Sequence, residues 1–126
     1  MEDTKKLYDE GIKEYQNSNY EKAKLLFNKI IEVEPTHSDA YANLAVISKI
    51  KRDFKSSFEY LNQAIKLNQK NSSYHGNMGN LLRDTHNYKQ ALMAYANAIK
   101  LNPNEPNNYN NLGITYEKLG DLNNAI

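Results

Sequence analysis

No cysteine occurs among the 126 residues, which removes disulfides, thiolate metal sites and a cysteine nucleophile together. Three prolines and five glycines leave few breaks, so long regular elements are expected. No run approaches the roughly 18 consecutive apolar residues of a membrane span, and no membrane partner is expected. The opening Met-Glu-Asp-Thr-Lys-Lys is charged with no apolar core behind it, so no secretory signal is written there. The formal charge is only +1, which argues against a domain that wraps nucleic acid through its net field. Catalytic machinery is missing as well: there is no glycine-rich phosphate loop, no nucleophile elbow, and no histidine set beside a nucleophile and an orienting acid. His37, His75 and His86 are widely spaced, so no metal and no cofactor are expected. These absences leave a soluble, cytoplasmic protein that is not an enzyme.

What the chain has instead is repetition. In Asn87–Pro103 the residues Tyr88, Ala91, Leu92, Tyr95, Ala98 and Ile99 recur at the spacing that lines one face of an α-helix. Lys89, Gln90, Asn97 and Lys100 take the other face. Asn87 stands where a short polar side chain can accept from the first turn's free N–H groups, and Pro103 pushes Asn102 away from the α region. Asp53–Gln69 repeats this pattern at a distance of 34 residues, and Ala-Ile-Lys-Leu-Asn occurs unchanged at 64–68 and 98–102. Asn19, Asp53, Asn87 and Asp121 form the matching column of caps.

Four units follow from that period: 4–37, 38–71, 72–105 and a truncated 106–126. Helices are expected near Thr4–Gln16, Tyr20–Glu34, Ser38–Lys51 and Phe54–Asn68, then on both sides of a turn at Thr85-His86-Asn87. The last unit should hold a helix from Pro106 to about Leu119, then a turn at Gly120-Asp121. Gln69 stands where the other units have proline, which predicts a looser junction. Small residues make one packing column (Gly11, Ala45, Gly79, Gly113), with Ala23, Ser57, Ala91 and Ala125 facing it. Tyr20, Phe54, Tyr88 and Leu122, with Phe27, Leu61 and Tyr95, fill the remaining space, while Ser57 is expected to bond back to the carbonyl of Asp53.

A 34-residue helix-turn-helix unit with these columns and a closing proline resembles the tetratricopeptide repeat. The resemblance implies an all-α fold, a right-handed superhelix of about three and a half repeats, and a protein-interaction scaffold that binds a peptide or partner segment on its concave face. That face would carry Tyr8, Ile12 and Tyr15, then Asn43 and Val46, then Asn77, Asn80 and Arg83, then Asn110, Asn111 and Ile114. The column Asn43, Asn77, Asn111 is similar to the peptide-reading ladder that the resemblance suggests for the repeat array of O-linked N-acetylglucosamine transferase, since an amide both donates and accepts. The carboxylate clamp of the co-chaperone branch is not matched: Tyr8, Ile12, Asn43, Ser73 and Asn77 stand in its places, and only Asn43 fits. The alternative function is the docking or regulatory portion of a larger enzyme such as a glycosyltransferase, or a self-assembly module. Leu112, Tyr116 and Leu119 present an apolar strip that must meet more of a longer chain, a partner, or the same strip on a second copy as a homodimer.

Overall fold

The computed structural model describes residues 3–124, with side chains through residue 121. Seven α-helices make up the described residues: α1 Thr4–Gln16, α2 Tyr20–Val33, α3 Ser38–Ile50, α4 Phe54–Leu67, α5 Ser72–Asp84, α6 Tyr88–Leu101 and α7 Pro106–Asn124. The chain divides into two compact units, Met1–Gln69 and Lys70–Ile126. The division falls at the residue that replaces proline.

In the first unit, α1 packs on α2, α2 on α3 and α3 on α4. Ala23, Phe27, Ile30, Ala40, Leu44 and Ile47 form its buried core. Spacings of three and four residues put Ala23, Phe27 and Ile30 on one face of α2, where Phe27 lies against Gly11 of α1. In the second unit α6 packs between α5 and α7. There Tyr95 fills the place of Phe27 and lies against Gly79, while Ala91 and Ala98 allow the close approach.

Three of the turns are closed in the same way. Ser18, Arg52 and His86 take the left-handed conformation, at φ 64°, 62° and 65°. The next residue's N–H then reaches back to the third-last helical carbonyl: Asn19 to Glu14, Asp53 to Ser48, Asn87 to Leu82, each at 2.8 Å. This six-to-one closure ends a helix while satisfying its free carbonyls.

Four local expectations are corrected. No turn forms at Gly120-Asp121, because α7 runs through both residues, and Asp121 is therefore not a cap. Continuing the helix gives each added residue a backbone bond, whereas a turn is favoured only when a second helix folds back to bury its face. Asn19 and Asn87 hold the cap positions without capping. Their amides turn backwards instead, Asn19 donating to Glu14 at 2.8 Å and Asn87 to the Thr85 hydroxyl at 2.9 Å. Asp53, a carboxylate with no donor of its own, does cap, accepting from Ser56 N at 3.2 Å. Ser57 does not bond to Asp53: its hydroxyl crosses to the Ala45 carbonyl at 2.7 Å, and the Asp53 carbonyl is taken by the Ser57 backbone N–H. The expected packing roles of Leu122, Ala125 and Ile126 lie outside the described side chains.

Candidate functional site

The face of α1 and α3 in the first unit is largely committed to packing. The Tyr8 ring meets Phe27 edge-on at 5.8 Å and His37 at 5.2 Å. Its hydroxyl accepts from Asn43 Nδ2 at 3.0 Å, while the same nitrogen donates to the Asp39 carbonyl at 2.9 Å. Asn43 has thus spent its donors and has its oxygen left. Burial pushes the Tyr8 phenol up, with the Asn43 bond pulling the other way and nearby Asp39 and Asp9 adding to the rise. Ile12 and Tyr15 pack against the core, and Tyr15 meets Tyr20 edge-on at 5.7 Å. Val46 is half-buried.

The second unit carries an open polar groove. A cavity of about 430 Å³ is lined by Ser73, Asn77 and Asn80 of α5, by Glu105 of the α6–α7 loop, and by Asn108 and Asn111 of α7. Positions 73, 77 and 80 share a face of α5, and 108 and 111 share one of α7, because three and four residues return the chain to the same side of a helix. Gly76 lies between them on α5, and a Cβ there would stand 2.9 Å from the Asn108 amide oxygen. The absence of a side chain at Gly76 is what admits Asn108.

Two side chains behind the groove hold its amides. Arg83 Nη1 donates to Asn111 Oδ1 at 3.1 Å. The Tyr95 hydroxyl donates to Asn80 Oδ1 at 2.5 Å. Burial pushes the Tyr95 phenol up, the Arg83 charge opposes this and the Asp84 charge supports it, so the phenol keeps the proton that it donates. Among the described residues the Asn77 amide has no intramolecular partner. Asn77, Asn80 and Asn111 are therefore brought together, whereas Asn110 and Ile114 lie exposed on α7 outside this cavity and Asn43 belongs to the other unit.

Sequence reasoning passed over Asn108, Glu105 and Gly76. A signal for Asn108 was there: it stands 34 residues beyond Tyr74 and 68 beyond Ala40, a column whose three members are all buried. An amide in a core column needs a reason. The basic residues after α3 are engaged elsewhere, with Lys51 paired to Glu21 and the Arg52 guanidinium 5.1 Å from the Phe54 ring centroid. Among the described residues no group of three His, Asp or Glu side chains is placed to hold a metal ion, and no helix is long and apolar enough to cross a membrane.

Comparison with known proteins bears on this architecture. The model of the family described as tetratricopeptide repeat matches residues 38–71, and that described as TPR repeat matches residues 79–120. No curated protein matches the sequence as a relative. Among solved structures, the Sgt2 TPR domain of Aspergillus fumigatus is 23% identical at a TM-score of 0.89, over 96% of this chain and 82% of that one. The first TPR of Spaghetti (RPAP3), solved with the HSP90 peptide SRMEEVD, is 20% identical at 0.87, over 93% of each chain. A mutant O-GlcNAc transferase of Thermobaculum terrenum is 18% identical at 0.85, over 89% of this chain but only 22% of the transferase. These likenesses show the fold. With the first six helices paired through small-residue columns, seven helices among the described residues, and two repeat models together matching more than half of its length, the chain belongs to the tetratricopeptide repeat family.

Proposed function

We propose that this chain is a protein-interaction module that holds an extended polypeptide segment in the asparagine-lined groove of its second unit. The family is in general a protein–protein interaction fold, typically without catalysis of its own. The observation that carries the reading is the groove itself: about 430 Å³ of polar space lined by Asn77, Asn80, Asn108 and Asn111, with the Asn77 amide unengaged. An unstructured peptide carries one N–H and one C=O per residue that must be bonded when it leaves water. Amides at the spacing of facing helices supply such partners without reference to the peptide's side chains. The peptide in the RPAP3 structure supports a peptide as the class of ligand. It does not supply the sequence, because the cations of a carboxylate clamp are missing here.

The test is a peptide-library selection on the immobilised 126-residue chain, repeated with Asn77→Ala and Asn111→Ala combined. Each neutral hydrogen bond contributes about 1 kcal/mol net, so the double variant should lose about 2 kcal/mol, roughly a 30-fold rise in Kd. Unchanged binding would remove the groove from the interaction.

A further inference from the structure

The peptide-holding reading above is the basis of this inference, which concerns the polarity of the groove. An asparagine amide offers an oxygen that accepts and two hydrogens that donate, so by itself it favours neither a carbonyl nor an N–H. Here its neighbours decide. A guanidinium has only donors, so the atom of Asn111 lying 3.1 Å from Arg83 Nη1 is its oxygen. The 2.5 Å separation between the Tyr95 hydroxyl and Asn80 is too short for a bond from nitrogen and fits O–H···O. Both oxygens are engaged from behind, which leaves both NH2 groups as the unspent donors. Asn108 is only 7% exposed and seated against the bare backbone of Gly76. Its side-chain amide has no hydrogen-bond partner among the described residues and so no neighbour that sets which end of it faces the groove.

Among the lining side chains the charge is set against acids, with the Arg83 cation standing behind Asn111. A helix N-terminus attracts anions, and the start of α7 opens on this cavity. Glu105 already occupies it: its Oε1 accepts from Asn107 N at 3.1 Å and its carbonyl from Asn108 N at 3.3 Å. The charged side chain in the lining is therefore a carboxylate, placed where a ligand carboxylate would otherwise bind.

We infer that the groove of the second unit is a donor-biased array: Asn80 and Asn111 present NH2 groups to the backbone carbonyls of an uncharged extended segment, beside the two-way amide of Asn77, and Glu105 turns acidic segments and carboxyl termini away. Sequence-independent reading of this kind leans on the acceptors of the ligand's backbone. A segment inside a chain suits it better than a chain end.

Three pools of random octapeptides drawn from Ala, Ser, Thr, Val and Gln test this on the immobilised 126-residue chain, with retained peptide quantified by mass spectrometry. One pool is capped at both ends, one carries two glutamates and a free carboxyl terminus, and one is capped and carries two lysines. The capped neutral pool should be retained at least about tenfold better than the acidic one, the equivalent of a bond or more. Asn80→Asp and Asn111→Asp keep the contacts to Tyr95 and Arg83, since a carboxylate accepts both, and replace the groove-side NH2 by an oxygen that shares a negative charge. Each should lower retention of the neutral pool about tenfold or more, with the melting temperature as a check on folding. Equal retention of acidic and neutral pools, or undiminished retention by the two Asp variants, overturns the donor array while leaving a peptide groove in place. Retention of no pool, or retention indifferent to Asn77→Ala with Asn111→Ala, overturns the groove and this inference with it.

Discussion

Gly79 and Gly113 occupy the same place in successive repeats and live in opposite surroundings. A Cβ on Gly79 would stand 2.5 to 2.8 Å from three atoms of the Tyr95 ring, whereas one on Gly113 would meet nothing within 4 Å. The turns that follow differ in the same sense. His86, whose Cβ makes the left-handed conformation less favourable than it is for glycine, adopts it after α5; Gly120, for which it is free, remains helical in α7. A turn in this chain is therefore made by the helix that folds back across it, and not by the preference of the residue at its corner. Where Tyr95 fills the notch at Gly79, burial of a whole helix face offsets the strain at His86. At Gly113 no described side chain fills the notch, and a glycine's freedom alone does not bend the chain.

The largest effect that sharpens this contrast comes from the two glycines themselves. Gly79→Ala should destabilise the chain by about 1 to 3 kcal/mol through overpacking against a ring that is fully buried. Gly113→Ala should stabilise it by about 0.5 to 1 kcal/mol, since an open helical position gains from losing glycine's flexibility. Urea unfolding of the two variants would read both. Shifts of the same sign would break the comparison.

This contrast also marks what the sequence made legible. Helix positions, packing columns and the family were readable because a 34-residue period states the same hydrophobic pattern several times, and each statement corrects noise in the others. The groove was half readable. Asn77, Asn80 and Asn111 lie on the α5 and α7 faces that the period assigns, but the contacts that engage the oxygens of Asn111 and Asn80 come from Arg83 and Tyr95, 28 and 15 residues away. No periodicity encodes that. Asn108 was missed because its column reads as core, and the turn at Gly120 was wrongly expected because the 34-residue period was carried on to a place where no described second helix packs back on α7. Ser57 fails similarly: a hydroxyl in a helix has a carbonyl one turn back, yet the nearer helix offered Ala45.

Ser57→Ala probes a third kind of close approach, in which alanine takes the place of glycine in the column and a hydroxyl bridges the two helices. Losing the 2.7 Å bond to the Ala45 carbonyl should cost about 1 kcal/mol. A melting temperature within error of the parent would show that Ser57 is there for its size alone.

Alkali reads the filled notch through its phenol. Burial raises the Tyr95 pKa in the folded chain above the ordinary value of about 10. The folded state then holds this proton more tightly than the unfolded one, so the contribution is fully present below pH 10 and is lost as pH rises through the folded value. Tyr95→Phe should flatten the stability profile above pH 10, with the residual slope left to Tyr8 and Tyr15, whose phenols are also raised by burial. An unchanged slope would place the Tyr95 phenol in contact with water.

The smallest effect is the most discriminating, because it asks whether Gly120 would bend if given something to bend for. In the chain as it stands Gly120→Ala should stabilise by about 0.5 to 1 kcal/mol, as for any glycine in a helix interior. Copying the ten residues Met93–Asn102 after Ile126 continues the sixth helix's pattern in register, since 121–126 align with 87–92. It also places a tyrosine sixteen positions beyond Gly113, the separation of Phe27 from Gly11 and of Tyr95 from Gly79. With that helix available to fill the notch, α7 should end near Leu119 and Gly120 should take the left-handed conformation already seen at Ser18, Arg52 and His86. Gly120→Ala in the lengthened chain should then destabilise by about 1 kcal/mol, the cost of a Cβ in that region. The sign of one substitution would reverse with nothing changed at its own site. If alanine stabilises both chains alike, the bend belongs to the corner residue after all, and the packing account of these turns is wrong.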